Sequence, residues 1–165
     1  MEQIHTSVLA FADKANLIWA GVVTGLVAVV GPQWYIFAFF LLLNIVDFYY
    51  GRKKARKTGT LTSAKGAEGI GKKVSYWVIT ALAFALSFIL VDLGRQLGVT
   101  LDFLMLLGWF TLAVYILNEL TSIVENMLVL GYNVPTIFVR GLAVAKTAVD
   151  AAGNKIIPGL PKENE

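Results

Sequence analysis

Seven polar side chains recur through a stretch that is otherwise apolar: Thr111, Tyr115, Asn118, Glu119, Ser122, Glu125 and Asn126. They are the densest set of groups in the chain that could do chemistry. At about 100° per residue all seven fall within an arc of about 120°, so they form one stripe on a helix. Catalysis fits them poorly. The chain has no Cys and one His, His5, so thiolates and disulfides are excluded. One His cannot build a metal site, and no nucleophile stands with a clustered acid–base pair. Neither enzyme activity nor a cofactor is expected. Acids and amides in an apolar setting can still hydrogen-bond and pair with charge, and inside a bilayer each must find a partner or water. The stripe could pack against other helices of one monomer, line a contact between subunits, or face a water-filled lumen. A chain this small has little interior in which to hide two Glu, which favours oligomers.

The second concentration is of positive charge. The stretch 51–73 holds Arg52, Lys53, Lys54, Arg56, Lys57, Lys65, Lys72 and Lys73, eight of the 14 Lys and Arg in the protein. It is read as a loop between two long apolar runs. Lys and Arg are retained on the cytoplasmic side of a membrane, so this loop orients the chain. Arg52, Lys53, Lys54, Lys65, Lys72 and Lys73, with Gly66 and Gly69, form a candidate membrane-surface loop able to attract anionic lipid head groups. For the two glycines, backbone permissiveness and an anionic-lipid contact made with Lys65, Lys72 and Lys73 both stand. Nucleic-acid binding would need a basic face on a soluble fold, and the flanking apolar runs leave none.

These residues need a scaffold, and composition supplies its class. The chain is 57% hydrophobic and 15% charged, where a soluble domain has about a quarter of its residues charged. Spanning helices of about 20 residues are expected, at 16–30, 34–50, 74–93 and 103–130. Gly31-Pro32-Gln33 turns the chain between the first two. The first run is short, and a re-entrant or shallow segment is its alternative. The fourth, at 1.5 Å per residue, is about 42 Å long and must tilt or project beyond a core of about 30 Å. No secretory signal is expected in 1–14, where Glu2, Asp13 and Lys14 interrupt the pattern.

With 51–73 inside, four spans place both termini in the cytoplasm, and only Arg95 of the 14 basic residues falls outside. The expected fold is therefore an all-α membrane protein of four transmembrane helices with cytoplasmic N- and C-termini. A short cytoplasmic amphipathic helix follows at 135–152. Residues 1–152 make one helical membrane domain and 153–165 a disordered tail. Asp47, sharing a helix face with Asn44, is expected to neutralise a Lys or Arg of the basic stretch, and Asp92 to be a solvated helix end. Gly21 and Gly25, four apart, suit close helix packing.

Two stretches resemble a known family. One is Ser63-Ala-Lys-Gly66-Ala-Glu-Gly69-Ile-Gly71-Lys72-Lys73, approached through 47–51. The other is Asn118-Glu119-Leu-Thr-Ser122-Ile-Val-Glu125-Asn126, followed by Gly131 and Val134-Pro135. Over about 40–135 the chain is similar to the phage holin family that also includes clostridial toxin-secretion holins. The resemblance implies a protein of the bacterial cytoplasmic membrane, encoded by a phage or prophage. It would accumulate harmlessly, then assemble with itself into holes that depolarise the cell. A cytoplasmic endolysin would pass through, without binding implied, and in the toxin-secretion branch a large toxin would pass instead. Partners would be other copies of the chain, anionic lipids and an antiholin. The competing reading is a non-lytic small channel or transporter subunit using the same stripe to pass ions or a small solute.

Overall fold

The computed structural model describes residues 31–156, and before them only Asp13, Asn16, Leu17, Ala20, Gly21 and Thr24, all helical. The first apolar run, 16–30, and the end of the tail, 157–165, lie largely outside the described residues. The chain divides into two compact units, Met1–Leu41 and Leu42–Glu165, and the site lies in the second. Among the described residues there is helix and turn and no strand. Among the described residues three helices are long and apolar enough to cross a membrane. They are α1, Trp34–Lys57; α2, Ser63–Gln96; and α3, Met105–Leu130, entered through a 3₁₀ turn at Asp102–Leu104. A less apolar helix, α4, follows at Thr136–Ile156.

Gly31-Pro32-Gln33 forms the expected turn, with Gly31 at φ +81°. The basic stretch does not form the expected loop. Helix α1 runs on to Lys57 and α2 starts at Ser63, so only 58–62 lie between them. Ala, Lys and Arg are strong helix formers and carry the helices past the apolar runs. The turn itself has clear punctuation. Gly59 takes φ +68°, the left-handed conformation that suits Gly. Its N–H donates to Arg56 O (3.3 Å) and that of Thr60 to Ala55 O (2.9 Å), which closes α1 in a Schellman motif. Thr62 then caps α2, its hydroxyl accepting from the Lys65 N–H at 3.2 Å. At the C-terminal end, residues 153–156 continue α4 rather than open a disordered tail.

The end of α3 shows complete accounting of helix-terminal carbonyls, which otherwise go unpaired. The Tyr132 N–H donates to Met127 O and the Gly131 N–H to Leu128 O, each at 3.0 Å. Lys57 Nζ from α1 donates to Val129 O and Leu130 O, both at 3.1 Å. A cation there also complements the negative end of the helix dipole.

Helices α2 and α3 form a hairpin with tight packing at two glycines. A Cβ on Gly108 would lie 2.5 Å from the Phe84 ring, which also meets Trp109 edge-on at 5.0 Å between centroids. Gly94 is buried beneath the turn, and a Cβ on it would meet Val99 O at 2.7 Å. Gly108→Val and Gly94→Ala should each destabilise the hairpin by about 1–3 kcal/mol through overpacking. Gly94→Ala is the harder to relieve, because backbone must move. Detergent-solubilised protein titrated with SDS and followed by circular dichroism reads this out, and wild-type resistance in both variants would contradict the packing. At the opposite end from the basic stretch, Arg95 reaches Asp92 at 3.1 Å and Asp102 at 3.8 Å. All three are exposed, so Asp92 is a solvated helix end and these pairs contribute little.

Candidate functional site

The stripe on α3 is divided lengthwise by what its residues touch. Glu119 and Asn126 form one edge, buried to 3% and 6% exposure. Lys73 of α2 donates to Asp47 Oδ2 of α1 at 2.8 Å and also to Glu119 Oε2. Asp47 Oδ1 accepts from Asn126 Nδ2 at 3.0 Å, and Asn126 Oδ1 accepts from Lys54 Nζ at 2.9 Å. The amide lies with its nitrogen on a carboxylate and its oxygen on an ammonium, the orientation that satisfies both. Two carboxylates and two ammoniums thus cancel, and one polar chain ties three helices together. A carboxylate taken from water is costly unless paired and hydrogen-bonded, and this geometry meets both conditions. Asp47 is neutralised by a lysine of the basic stretch, as expected, and that lysine is Lys73.

Lys53 extends the same zipper, donating to Tyr132 Oη at 2.6 Å. Thus Lys53, Lys54, Lys57 and Lys73 are all engaged within the protein. Arg52 lies over the Phe48 ring at 5.4 Å and Lys72 over Tyr76 at 5.8 Å, contacts worth only about 0.5–1 kcal/mol at exposed sites.

The other edge of the stripe is open. Thr111, Tyr115, Asn118, Ser122 and Glu125 line a groove of about 1320 Å³, with Glu119 in its wall. Thr111 spends its hydroxyl on Leu107 O at 2.8 Å, and Tyr115 stacks on Tyr76 of α2 at 4.1 Å between centroids. Glu125 is exposed, and Asn118 and Ser122 are partly so. At its basic end the groove is bordered by Arg52, Lys65, Gly66, Gly69, Lys72 and Lys73. Lys146, Val149, Asp150 and Gly153 of α4 reach it as well. Phe103, Leu104, Leu107 and Phe110 line it farther along, so it grades from charged to apolar. Among the described residues no group of three His, Cys, Asp or Glu is placed to hold a metal ion.

Sequence reasoning missed Tyr76 and the reach of α4 into the groove. The signal for Tyr76 was its spacing: Lys65, Gly69, Lys72, Tyr76 and Ile79 recur every three or four residues and share one face of α2. Nothing local shows that Lys146 and Asp150 come to that face, because the turn at 131–135 sets it.

Comparison with known proteins defines the class. The model of the Bacteriophage holin family matches residues 24–147, three-quarters of the chain, which takes in α1, α2, α3 and half of α4. The chain belongs to the Bacteriophage holin family and is a multi-pass membrane protein. It is 30% identical over 115 residues to a probable holin of Bacillus phage phi105, covering 70% of this chain and 77% of that protein. It is also 30% identical over 135 residues to an uncharacterised protein of Halalkalibacterium halodurans, covering 81% of this chain and 96% of the relative. No solved structure matches the chain.

Proposed function

We propose that this protein is a holin of the bacterial cytoplasmic membrane, carried by a phage or prophage. Copies accumulate as intact, charge-neutral bundles and then assemble through the groove edge of the stripe. The resulting holes collapse the membrane potential and release a cytoplasmic endolysin, or a toxin where that is the cargo. Both termini lie in the cytoplasm, the side on which the basic ends of α1 and α2 are retained.

The observation that carries this reading is the open edge itself. Asn118, Ser122 and Glu125 border a groove on a membrane-length helix, where polar groups need a partner or water. In a dispersed monomer they are held at a cost, and contact with another copy relieves it. Assembly then shifts from monomer toward oligomer as concentration rises, with no new chemistry required. Membership of the holin family and the likeness to a probable holin support the same conclusion.

Induced expression in a bacterial cell tests it, with a membrane-potential dye and optical density followed with and without a co-expressed endolysin. The expected result is abrupt depolarisation at a reproducible time, with lysis only when the endolysin is present. Continued growth at high membrane levels would sink the proposal and favour a non-lytic channel. Depolarisation without endolysin release would limit the holes to small-solute size.

A further inference from the structure

We infer that the groove bordered by α1, α2, α3 and α4 is a binding site for one anionic phospholipid with a hydroxyl-bearing headgroup, of the phosphatidylglycerol type. Its head would sit at the basic end and one acyl chain would lie along the apolar end. The inference does not depend on hole formation.

Three observations carry it. First, the groove has the polarity of a phospholipid. On α3 its lining runs from Leu107 to Glu125, about 27 Å at 1.5 Å per residue, which is long enough for a headgroup and an acyl chain crossing one leaflet, about half of a 30 Å hydrocarbon core. Charged groups cluster at one end, and Leu104, Leu107 and Phe110 are at the other.

Second, the mouth keeps cations that stand outside the fold's ion pairs. Lys65, Lys72 and Lys146 border it, and among the described residues none of the three makes an ion pair. Each ammonium offers donors to a phosphodiester. Glu125 and Asp150 stand at the same mouth. They would repel a bare phosphate but accept hydrogen bonds from glycerol hydroxyls, which is why a hydroxyl-bearing headgroup fits better than a simple anion.

Third, α2 is hollowed at the mouth for no internal reason. Gly66 and Gly69 lie within a regular helix, where Gly costs about 0.5–1 kcal/mol relative to Ala. A Cβ on either would meet nothing within 4 Å. Neither helix packing nor backbone conformation requires glycine there, and at the groove mouth the missing side chains leave room for a headgroup against the backbone of α2. A lipid seated there covers the open edge of the stripe and must leave before a second copy can reach the same face.

The full-length protein in mild detergent, examined by native mass spectrometry with phosphatidylglycerol or phosphatidylcholine added, tests this. The expected result is one phosphatidylglycerol retained per chain, preferred over phosphatidylcholine and not displaced by glycerol phosphate. Lys65→Gln, Lys72→Gln and Lys146→Gln should each weaken retention by roughly fivefold, and all three together on the order of a hundredfold. Gly69→Leu, which fills the mouth without touching the fold, should abolish retention while circular dichroism stays unchanged. Equal retention of both lipids would overturn the proposal, as would wild-type retention by Gly69→Leu and the triple variant. Displacement by glycerol phosphate would reduce the site to one for a free anion. Disulfide cross-linking of Gly69→Cys to a second copy, with no lipid retained, would assign the groove to a subunit contact.

Discussion

Lys73→Met is expected to be the most damaging single substitution in the protein, costing the fold about 3–5 kcal/mol. Lys73 is the cation shared by Asp47 and Glu119. With it gone, two carboxylates remain on facing helices, largely shielded from water. Among the described residues, Asp47 then keeps only the Asn126 amide, at 3.0 Å, and Glu119 loses the ammonium that pairs with it. The asymmetry of buried pairs decides the size of the effect. Such a pair adds little net stability over an apolar replacement, yet removing one member strands the other. Two companions separate this from ordinary loss of packing. Glu119→Gln leaves Lys73 bound to Asp47 and should cost only about 1–2 kcal/mol. Combining Lys73→Met with Asp47→Asn and Glu119→Gln removes all three charges together and should recover most of the loss. SDS titration of the purified protein and steady-state membrane levels report the result. If Lys73→Met unfolds at the wild-type SDS fraction, the network does not hold the bundle.

That network marks where the sequence stops being legible. The apolar runs at 34–50 and 74–93 each lie inside an observed helix, and 103–130 inside α3 and the 3₁₀ turn that leads into it, because a long apolar run leaves the backbone few alternatives. Hydropathy reports only the lipid-length part of a helix, however. The last two turns of α1 and the first three of α2 carry many Lys, Ala and Gly and no apolar run, so hydropathy reads them as loop. The available signals were Gly59 and Thr62, a stop and a start that bracket the true turn. Helical periodicity placed all seven stripe residues on one face of α3. It could not divide them, since the division depends on Lys73 and Asp47, which are 46 and 72 positions away from Glu119 along the chain. The wheel nevertheless held a hint. Glu119 and Asn126 lie near 100° and 80° from Asn118, at one margin of the arc, and Glu125 near −20° at the other.

The divided stripe gives the second large effect. Substituting the groove edge, as Asn118→Leu with Glu125→Leu, should leave the monomer's stability and membrane level unchanged while blocking the collapse of membrane potential. Neither residue belongs to the Lys73 network. Each variant replaces a polar group at the groove with an apolar one, so the fold loses no buried partner. Assembly does lose something. Hydrogen bonds between membrane helices average about 0.6 kcal/mol and reach about 1.7. Two lost per contact therefore weaken each contact on the order of tenfold or more. Every subunit in an assembly repeats that contact, so the threshold concentration rises at least as steeply and expression ends without depolarisation. Glu119→Leu, at the other edge, predicts the opposite pattern: lower membrane levels, with whatever protein persists still depolarising the cell. The dye assay run beside quantified membrane protein distinguishes the two. Normal timing in the groove-edge variant at normal levels would remove this face from assembly. Loss of protein in that variant would mean that the open edge is needed by the monomer after all.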